Sequence, residues 1–507
     1  MDFSTSAAKN LLEAWLGSAA AGTFSSDYAL SALQWCRRLP DLTELIEADL
    51  WWTLLNHLIA MAAEAERSPC SDGCSGDVVL SRQLLAGELA LTLASLFPEI
   101  QQCRELAAKS RRVLSDGLAD LLDGDGLLHA NYFDRFQPLL ACWTRCRSFR
   151  GQEKRGVWNG KAETQYQQFF RNALLMARRD GSLVFTDAPS SVVGGCDLLA
   201  TAVKLAGKKH DRSLLAQWDS KRKANAKRPS KASLHSEWAA AAMMRPDEAR
   251  DCPRLAILYP NASCHVELNT GKDVLLSGPW KLALTVDGQN IVPTSEWTEI
   301  CWVSDKDIDY LELELDCGDG LRVQRHFALA RKDRFLLLAD AVLASKRAKL
   351  EYRGTLPLRS NVSYGETCET RQGTLAAARS SATVLPLAFP EPLSRPADGR
   401  LSAVGPSLEL QHTTEGQSLF APLFFDLDPH RRKKPLTWRQ LTVAESWTIQ
   451  PNDVAVGYRV AIGRRQWLMY RALARRGNRS LLGHNISSEM LVARFVDGEV
   501  ESLIEIE

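Results

Sequence analysis

Two stretches of this 507-residue chain hold side chains whose types and spacing suit chemistry on a polar ligand. The first is Asn56-His57, inside Trp51-Trp-Thr-Leu-Leu-Asn-His-Leu-Ile-Ala-Met61, where a polar pair interrupts an apolar helical pattern. Burying an amide and an imidazole costs free energy unless both are hydrogen-bonded. The pair is therefore either a satisfied core pair bonding to neighbouring helices or a functional one. The second stretch is Leu122-Asp-Gly-Asp-Gly-Leu-Leu-His-Ala-Asn-Tyr-Phe-Asp-Arg-Phe136. Its Asp-Gly run ends one helix, and His129, Asn131, Tyr132 and Arg135 gather at the entry of the next. A helix entry offers free N–H groups and a positive dipole end, which suits an anion. Tyr132 and Arg135 are three apart and share a face. The alternative is a calcium-like or capping loop with a surface tyrosine. An EF-hand is disfavoured, because its later ligands and terminal Glu are absent at the required spacing.

The elements around these residues divide the chain in two. Residues 1–245 hold six prolines and the rest hold fifteen, which fits long helices first and loops between short strands later. Leu42, Leu45, Ile46, Leu50, Leu54, Leu55, Leu58 and Met61 recur at helical spacing. Similar faces recur around 5–17, 26–38, 79–97, 99–122, 134–147, 162–179, 194–207 and 235–244. After about Asp251 the period becomes two. Leu311, Leu313 and Leu315 alternate with Glu312, Glu314 and Asp316, the pattern of a strand with one wet face. Gly318-Asp-Gly320, Gly463-Arg464 and Asp497-Gly498 each separate two such runs, as in hairpins. The expected fold class is α+β with two domains: helices over about 1–245, then an antiparallel β-sandwich over about 251–507.

Composition narrows the function. Lys+Arg totals 62 against 61 Asp+Glu, so no bulk field favours nucleic acid. No apolar run reaches the roughly 20 residues of a membrane span. The N-terminus lacks a basic region before its short apolar stretch, so no signal peptide is read. The twelve cysteines are scattered, which suggests reduced, buried thiols and a cytoplasmic compartment. No glycine-rich phosphate loop or nucleophile elbow occurs.

The Asn-His pair in a helix, followed by Asp-Gly and a Tyr opening another helix, resembles the heparinase II/III-like polysaccharide lyases. Leu321-Arg-Val-Gln-Arg-His-Phe-Ala-Leu-Ala-Arg-Lys-Asp-Arg-Phe-Leu-Leu-Leu-Ala-Asp340 is similar to that family's strand pair around an Arg and a closing Asp. The resemblance covers nearly the whole chain in architecture and short patches in motif. It implies an incomplete (α/α) toroid followed by an antiparallel β-sandwich, acting on an acidic polysaccharide or oligosaccharide by β-elimination. It implies that Asn56 neutralises the uronate carboxylate and that His57 or Tyr132 removes the C5 proton. Tyr132 would also protonate the leaving oxygen, and Arg135 would clamp a carboxylate or sulfate. His265, in Ser263-Cys-His-Val-Glu-Leu-Asn269, is the nearest match to the family's sandwich histidine, or else an ordinary strand histidine. His129, Asn131 and Trp158 complete the expected substrate contacts. A structural zinc occurs in the family, but its ligand pattern is not found here, and no cofactor is expected.

Other readings remain. A non-catalytic carbohydrate-binding or scaffold protein would keep the fold. A glycoside hydrolase would need two of Asp123, Asp125, Asp134, Glu163 and Asp187 across a bond. Cys70 and Cys74 read as a thiol pair near solvent, and Cys142 and Cys146 as core thiols. Basic clusters at Lys221–Lys231, His430–Lys434 and Arg464–Arg479 read as solvated loops and strand faces or as a positive cleft for an acidic glycan. Trp467 and Tyr470 read as sugar-stacking groups or core. The active cleft is expected where helical loops face the sheet.

Overall fold

The computed structural model describes residues 5–18, 25–68, 73–149, 156–178, 180–186, 195–216, 233–247 and 252–507. Cys70, Asp187 and Lys221–Lys231 lie outside them. The chain groups into two compact units, residues 1–224 and 225–507.

The first unit is helical: α1 (Thr5–Ser18), α2 (Ser26–Leu42), α3 (Ala48–Arg67), α4 (Gly76–Arg82), α5 (Ala90–Leu96), α6 (Gln101–Asp120), α7 (Phe136–Ser148), α8 (Gly160–Met176), α9 (Gly195–Ala206) and α10 (Lys209–Ala216). Side-chain caps start several of them. Ser25 accepts from the Tyr28 N–H, Ser75 from Val78 and Asn159 from Ala162. A fully buried π-helical turn, Gln83–Leu89, joins α4 to α5. The resulting helix, Gly76–Leu96, is long and apolar enough to cross a membrane, yet 83% of its apolar window is buried inside the protein.

That turn carries the unit's central charge. Glu88 is fully buried and holds Arg145 of α7 through two bonds of 2.6 and 2.7 Å and Arg37 of α2 through one of 2.6 Å. Gln83 accepts from the Trp143 indole at 3.0 Å and donates to the Val113 carbonyl at 3.2 Å. In an α-helix residues five apart point about 140° apart. Closing the ring at i→i+5 turns them toward one face, so Gln83 and Glu88 both reach the core. Gly87 lets α6 approach, since a Cβ there would sit 2.6 Å from the Leu114 side chain.

The second unit begins with β1 (Leu234–Ser236), β2 (Ala241–Met244), β3 (Arg254–Leu258), β4 (His265–Thr270) and β5 (Asp273–Pro279), an antiparallel sheet in that order. The helix expected over 235–244 is therefore a hairpin. Its alanines and methionines are apolar on both sides, and pairing to β3 overrides their helical preference.

The central sheet runs Ser363–Glu366, Gly373–Ala376, Ser381–Pro386, Ser407–Asp426, Phe335–Pro357, Arg322–Ala330, Ile308–Asp316 and Thr298–Ser304. One face (Leu311, Leu313, Phe327, Leu338) packs on Leu255, Ile257 and Val266 of the first sheet. The other (Tyr310, Ala328, Leu337, Phe424) packs on Val460, Trp467, Met469 and Val492 of a third sheet. The third layer covers Glu312, which is only 2% exposed, while Glu314 is half-buried and Asp316 exposed, so the expected wet face of Ile308–Asp316 survives only toward the end of the strand.

Several buried polar groups in these layers are paired. On the first face Arg325 and Asp340, both fully buried, form a bidentate pair at 2.8 Å, and Tyr352 donates to the same carboxylate. On the second face the Tyr310 hydroxyl bonds Glu312 at 2.6 Å and His326 Nδ1 at 2.9 Å. Cys36, Cys103, Cys142, Cys146, Cys252, Cys264, Cys301, Cys317 and Cys368 are free thiols, and most are buried.

Removing both Arg37 and Arg145 strands a buried carboxylate. The Arg37→Ala/Arg145→Ala protein is expected to lose about 3–5 kcal/mol of stability, and Glu88→Gln less. Urea unfolding checks the order, and the reverse order would refute the role of Glu88. His326 gives a second expectation. Burial and Arg471 hold its pKa well below 6.5, so the unfolded chain takes up a proton that the folded one refuses. Its contribution is complete above about pH 6.5 and declines by about 1.4 kcal/mol per unit below that. The stability difference between wild type and His326→Gln, measured from pH 7 to 5, is expected to narrow accordingly.

Candidate functional site

The first turn of α2 connects two of the candidate side chains of the helical unit, His57 directly and Arg135 through Asp77. Tyr28 stands there because Ser25 caps the helix three residues earlier. Its hydroxyl lies 3.1 Å from His57 Nε2 on α3. Trp15 of α1 stacks on Tyr28 with centroids 5.3 Å apart and meets the His57 ring edge-on at 5.6 Å. Trp15 is fixed by donating to Ser31, whose hydroxyl donates to the Tyr28 carbonyl. Burial lowers the His57 pKa, so its imidazole is neutral at neutral pH. Asn56, one residue away, is exposed. The buried polar pair read from sequence is thus a half-buried histidine beside a solvent-facing amide.

The same helix start receives Asp77 from the first turn of α4. Asp77 accepts from the Ser26 hydroxyl at 2.5 Å and from its N–H at 3.2 Å. Arg135 Nη2 lies 3.7 Å from Asp77, and its Nε lies 3.2 Å from Asp134. A chain of contacts therefore runs from His57 through Tyr28, the α2 start and Asp77 to Arg135. Arg135 belongs to a 3-10 turn, Ala130–Arg135, that leads into α7 and also carries Asn131 and Tyr132. His129 caps it by accepting from the Asn131 N–H at 3.2 Å. The His129 and Tyr132 rings lie 6.0 Å apart, and burial lowers the His129 pKa. His57, His129, Asn131, Tyr132 and Arg135 thus belong to segments that pack around one helix end.

The preceding Asp-Gly loop is a capping loop. Asp123 accepts from the N–H groups of Asp125 and Leu127, and Gln165 and Asn172 of α8 bond the loop carbonyls. These contacts weigh against hydrolysis. Asp123 is committed to backbone, Glu163 to Arg147 and Trp158, and Asp134 to Arg135. Trp158 is 7% exposed, donates to Glu163 at 2.9 Å and packs on Tyr166. It is core, not a ring platform for a sugar. Trp467 and Tyr470 are buried as well.

In the second unit His265 opens β4, half-buried, with its pKa lowered by burial. Register pairs it with Leu258, which puts it on the sheet face opposite Tyr259. On that opposite face lies a cluster not read from sequence. Glu299 bonds His235 and Tyr259, each at 2.7 Å, and His235 stacks on Trp302 at 4.4 Å. Beyond His265, Glu267 accepts from Asn269 at 2.9 Å and Ser277 at 3.1 Å. This carboxylate, amide and hydroxyl satisfy one another and do not match the nitrogen and sulfur donors of a structural zinc. Glu88, Cys142 and Cys146 come within metal-binding distance of one another, but a cation there would face Arg37 and Arg145.

No family model matches the chain, and no curated protein matches it. Solved structures do. They define the fold class as an incomplete (α/α) toroid followed by an antiparallel β-sandwich, the fold of heparinase III. Heparinase III matches with a TM-score of 0.60 at 10% identity, over 87% of this chain and 75% of that one. A heparinase III gene product with methylated lysines gives 0.59 at 11% identity, over 87% and 73%. A mutant of the heparan sulfate lyase HepC from Pedobacter heparinus gives 0.53 at 10%, over 85% and 70%.

Tyr28, Trp15 and Asp77 were not read from sequence. Their one signal is Ser25-Ser26-Asp27-Tyr28, a capped helix start with an aromatic in its first turn. The expected titration follows from the geometry. The His57 ring proton signals, followed by NMR, should report a pKa below 6.5. A value above 6.5 would mean that the imidazole is not desolvated as described.

Proposed function

We propose that the protein is a polysaccharide lyase that cleaves an acidic, uronate-containing polysaccharide by β-elimination. The observation that carries the reading is the gathering of His57, Tyr132 and Arg135 segments around the start of α2. In this reaction a base takes the C5 proton. The electron pair forms the C4–C5 double bond as the C4–O bond breaks, and an acid protonates the departing oxygen. His57 is a fitting base, because its lowered pKa keeps it unprotonated at neutral pH. Tyr132 is assigned as acid, and as the alternative base. Asn56, exposed beside His57, is assigned to the substrate carboxylate, whose neutralisation stabilises the enolate-like intermediate. His129 and Asn131 are assigned to substrate binding. The solved neighbours named heparinase III and heparan sulfate lyase support a sulfated uronate as first substrate to test.

A second reading is a carbohydrate-binding protein that keeps the lyase fold without the chemistry. Arg135 favours it, because Asp77 and Asp134 already hold the guanidinium intended for the substrate.

Ultraviolet absorbance of the unsaturated product separates the two. The purified protein is incubated with heparan sulfate, hyaluronan, alginate and pectate. Elimination predicts a rise with at least one of them. Tyr132→Phe is expected to lose about 10²–10⁴-fold in rate with an unchanged melting temperature. The acid limb of the wild-type kcat/KM profile is expected below pH 6.5, since protonating His57 removes the base. Full activity in Tyr132→Phe would refute the assignment.

A further inference from the structure

A cavity of about 770 Å³ opens in the second unit, at one end of the interface between the central and third sheets. Its floor is the last row of the central sheet, Asp316, Arg322, Leu343 and Ser418, which pair in register. One wall is the Gly318–Gly320 turn, and the other is the segment Ala472–Arg476. None of these residues belongs to the site around α2.

The charges already committed show what the cavity has left to offer. Glu314 accepts from Gln324 at 2.9 Å and lies 3.6 Å from Arg322. Glu489 takes a 2.6 Å bond from Arg471, and Asp316 accepts the Gly318 N–H at 2.7 Å. Arg475 and Arg476, by contrast, are exposed at the rim, and their guanidinium groups have no partner among the described residues. Behind the wall Arg471 is fully buried, with Nε and Nη1 unpartnered. It precedes Leu473, a lining residue, by one step on the same strand face. The groups free to act on a ligand at the 472–476 wall are therefore cationic, while the facing turn presents the exposed Asp319 carboxylate.

The same loop supports an exposed aromatic. Arg479 bonds both the Arg475 carbonyl, at 2.7 Å, and Glu445, at 3.1 Å. Two residues beyond Glu445, Trp447 is fully solvent-exposed at φ +68°, after Ser446 at +49°. A two-residue hairpin turn with both φ positive favours Asn-Gly, so a serine and a tryptophan hold it under strain. The cavity lining itself holds no aromatic side chain and is mostly charged and small polar groups. A flat base would find nothing to stack on inside, whereas a polyhydroxylated ring would find acceptors and donors throughout.

We propose that this cavity is an accessory binding site for a short acidic glycan. Arg475 and Arg476 pair with its carboxylate or sulfate groups. Asp319, Ser345 and Gln417 bond its hydroxyls, and Trp447 stacks on a ring of the chain as it leaves the cavity. The volume falls in the range of ligand pockets. The site requires no elimination chemistry, so it stands apart from the proposed function.

The test is calorimetric titration of the full chain carrying Tyr132→Phe, so that the probe is not consumed. The probe is a sulfated, uronate-containing tetrasaccharide, with a neutral tetrasaccharide as control. Adding Arg475→Ala/Arg476→Ala is expected to weaken one class of site by about tenfold or more, equal to about 1.4 kcal/mol. Ala474→Trp, which fills the cavity from an exposed position, is expected to leave one fewer tetrasaccharide bound. Trp447→Ala is expected to weaken the same site. Melting temperatures confirm that each variant folds. Affinity within about twofold of the parent in the first two variants, or equal binding of the neutral control, overturns the proposal. Loss of binding in these variants, when the chain with Tyr132 intact forms no unsaturated product, would sustain the accessory site and remove the elimination reading.

Discussion

The buried carboxylate of Glu88 sets the frame of the helical unit around α2 and α7. Glu88 has no access to water, so its charge is tolerated only because Arg37 and Arg145 neutralise it. Guanidinium–carboxylate pairing is directional, and the two arginines come from α2 and α7. The pairing therefore fixes how those helices sit against the core helix. These are the helices whose beginnings matter for the site. The start of α2 carries Ser26 and Tyr28, and α7 continues the turn that carries Tyr132 and Arg135. The π-helical turn makes the arrangement workable by bringing Gln83 and Glu88 to one side of the core helix.

The strand-rich unit solves a related problem with layers. Its central sheet is covered on both faces, so polar residues on either face need partners within the protein. Arg325 and Asp340 are matched by hydrogen bonds, with Trp280 and Trp297 over the guanidinium. The opposite face is less complete. Arg471 and His326 keep unpartnered nitrogens beside Glu312 and Tyr310, one step behind an open cavity. Polar groups in a low-dielectric interior favour something that can satisfy them, and water or a ligand group would both serve.

The sequence carried the helices and hairpins because their signals are local. A run such as Leu54, Leu55, Leu58 and Met61 buries the same face wherever the helix ends up. The turns Gly318–Gly320 and Asp497-Gly498 need only their own φ values. Legibility failed where burial came from a distant partner. Glu312 reads as wet until the third sheet covers it, and 235–244 reads as helix until β3 pairs with it. Trp158 looks like a sugar platform until Glu163 and Tyr166 enclose it.

By itself the sequence determined the order of helices then strands, the Asn56-His57 and His129–Arg135 motifs, and their resemblance to a lyase family. Periodicity, turn residues and short motifs are properties of neighbouring residues, and they survive without a fold. Only the tertiary structure decided that Tyr28 stands against His57, that Asp77 links Arg135 to the same helix start, and that His265 shares no sheet face with Tyr259. Those facts join residues 29 to 58 positions apart, or depend on strand register. Neither distance in space nor register is encoded in the spacing of a single segment.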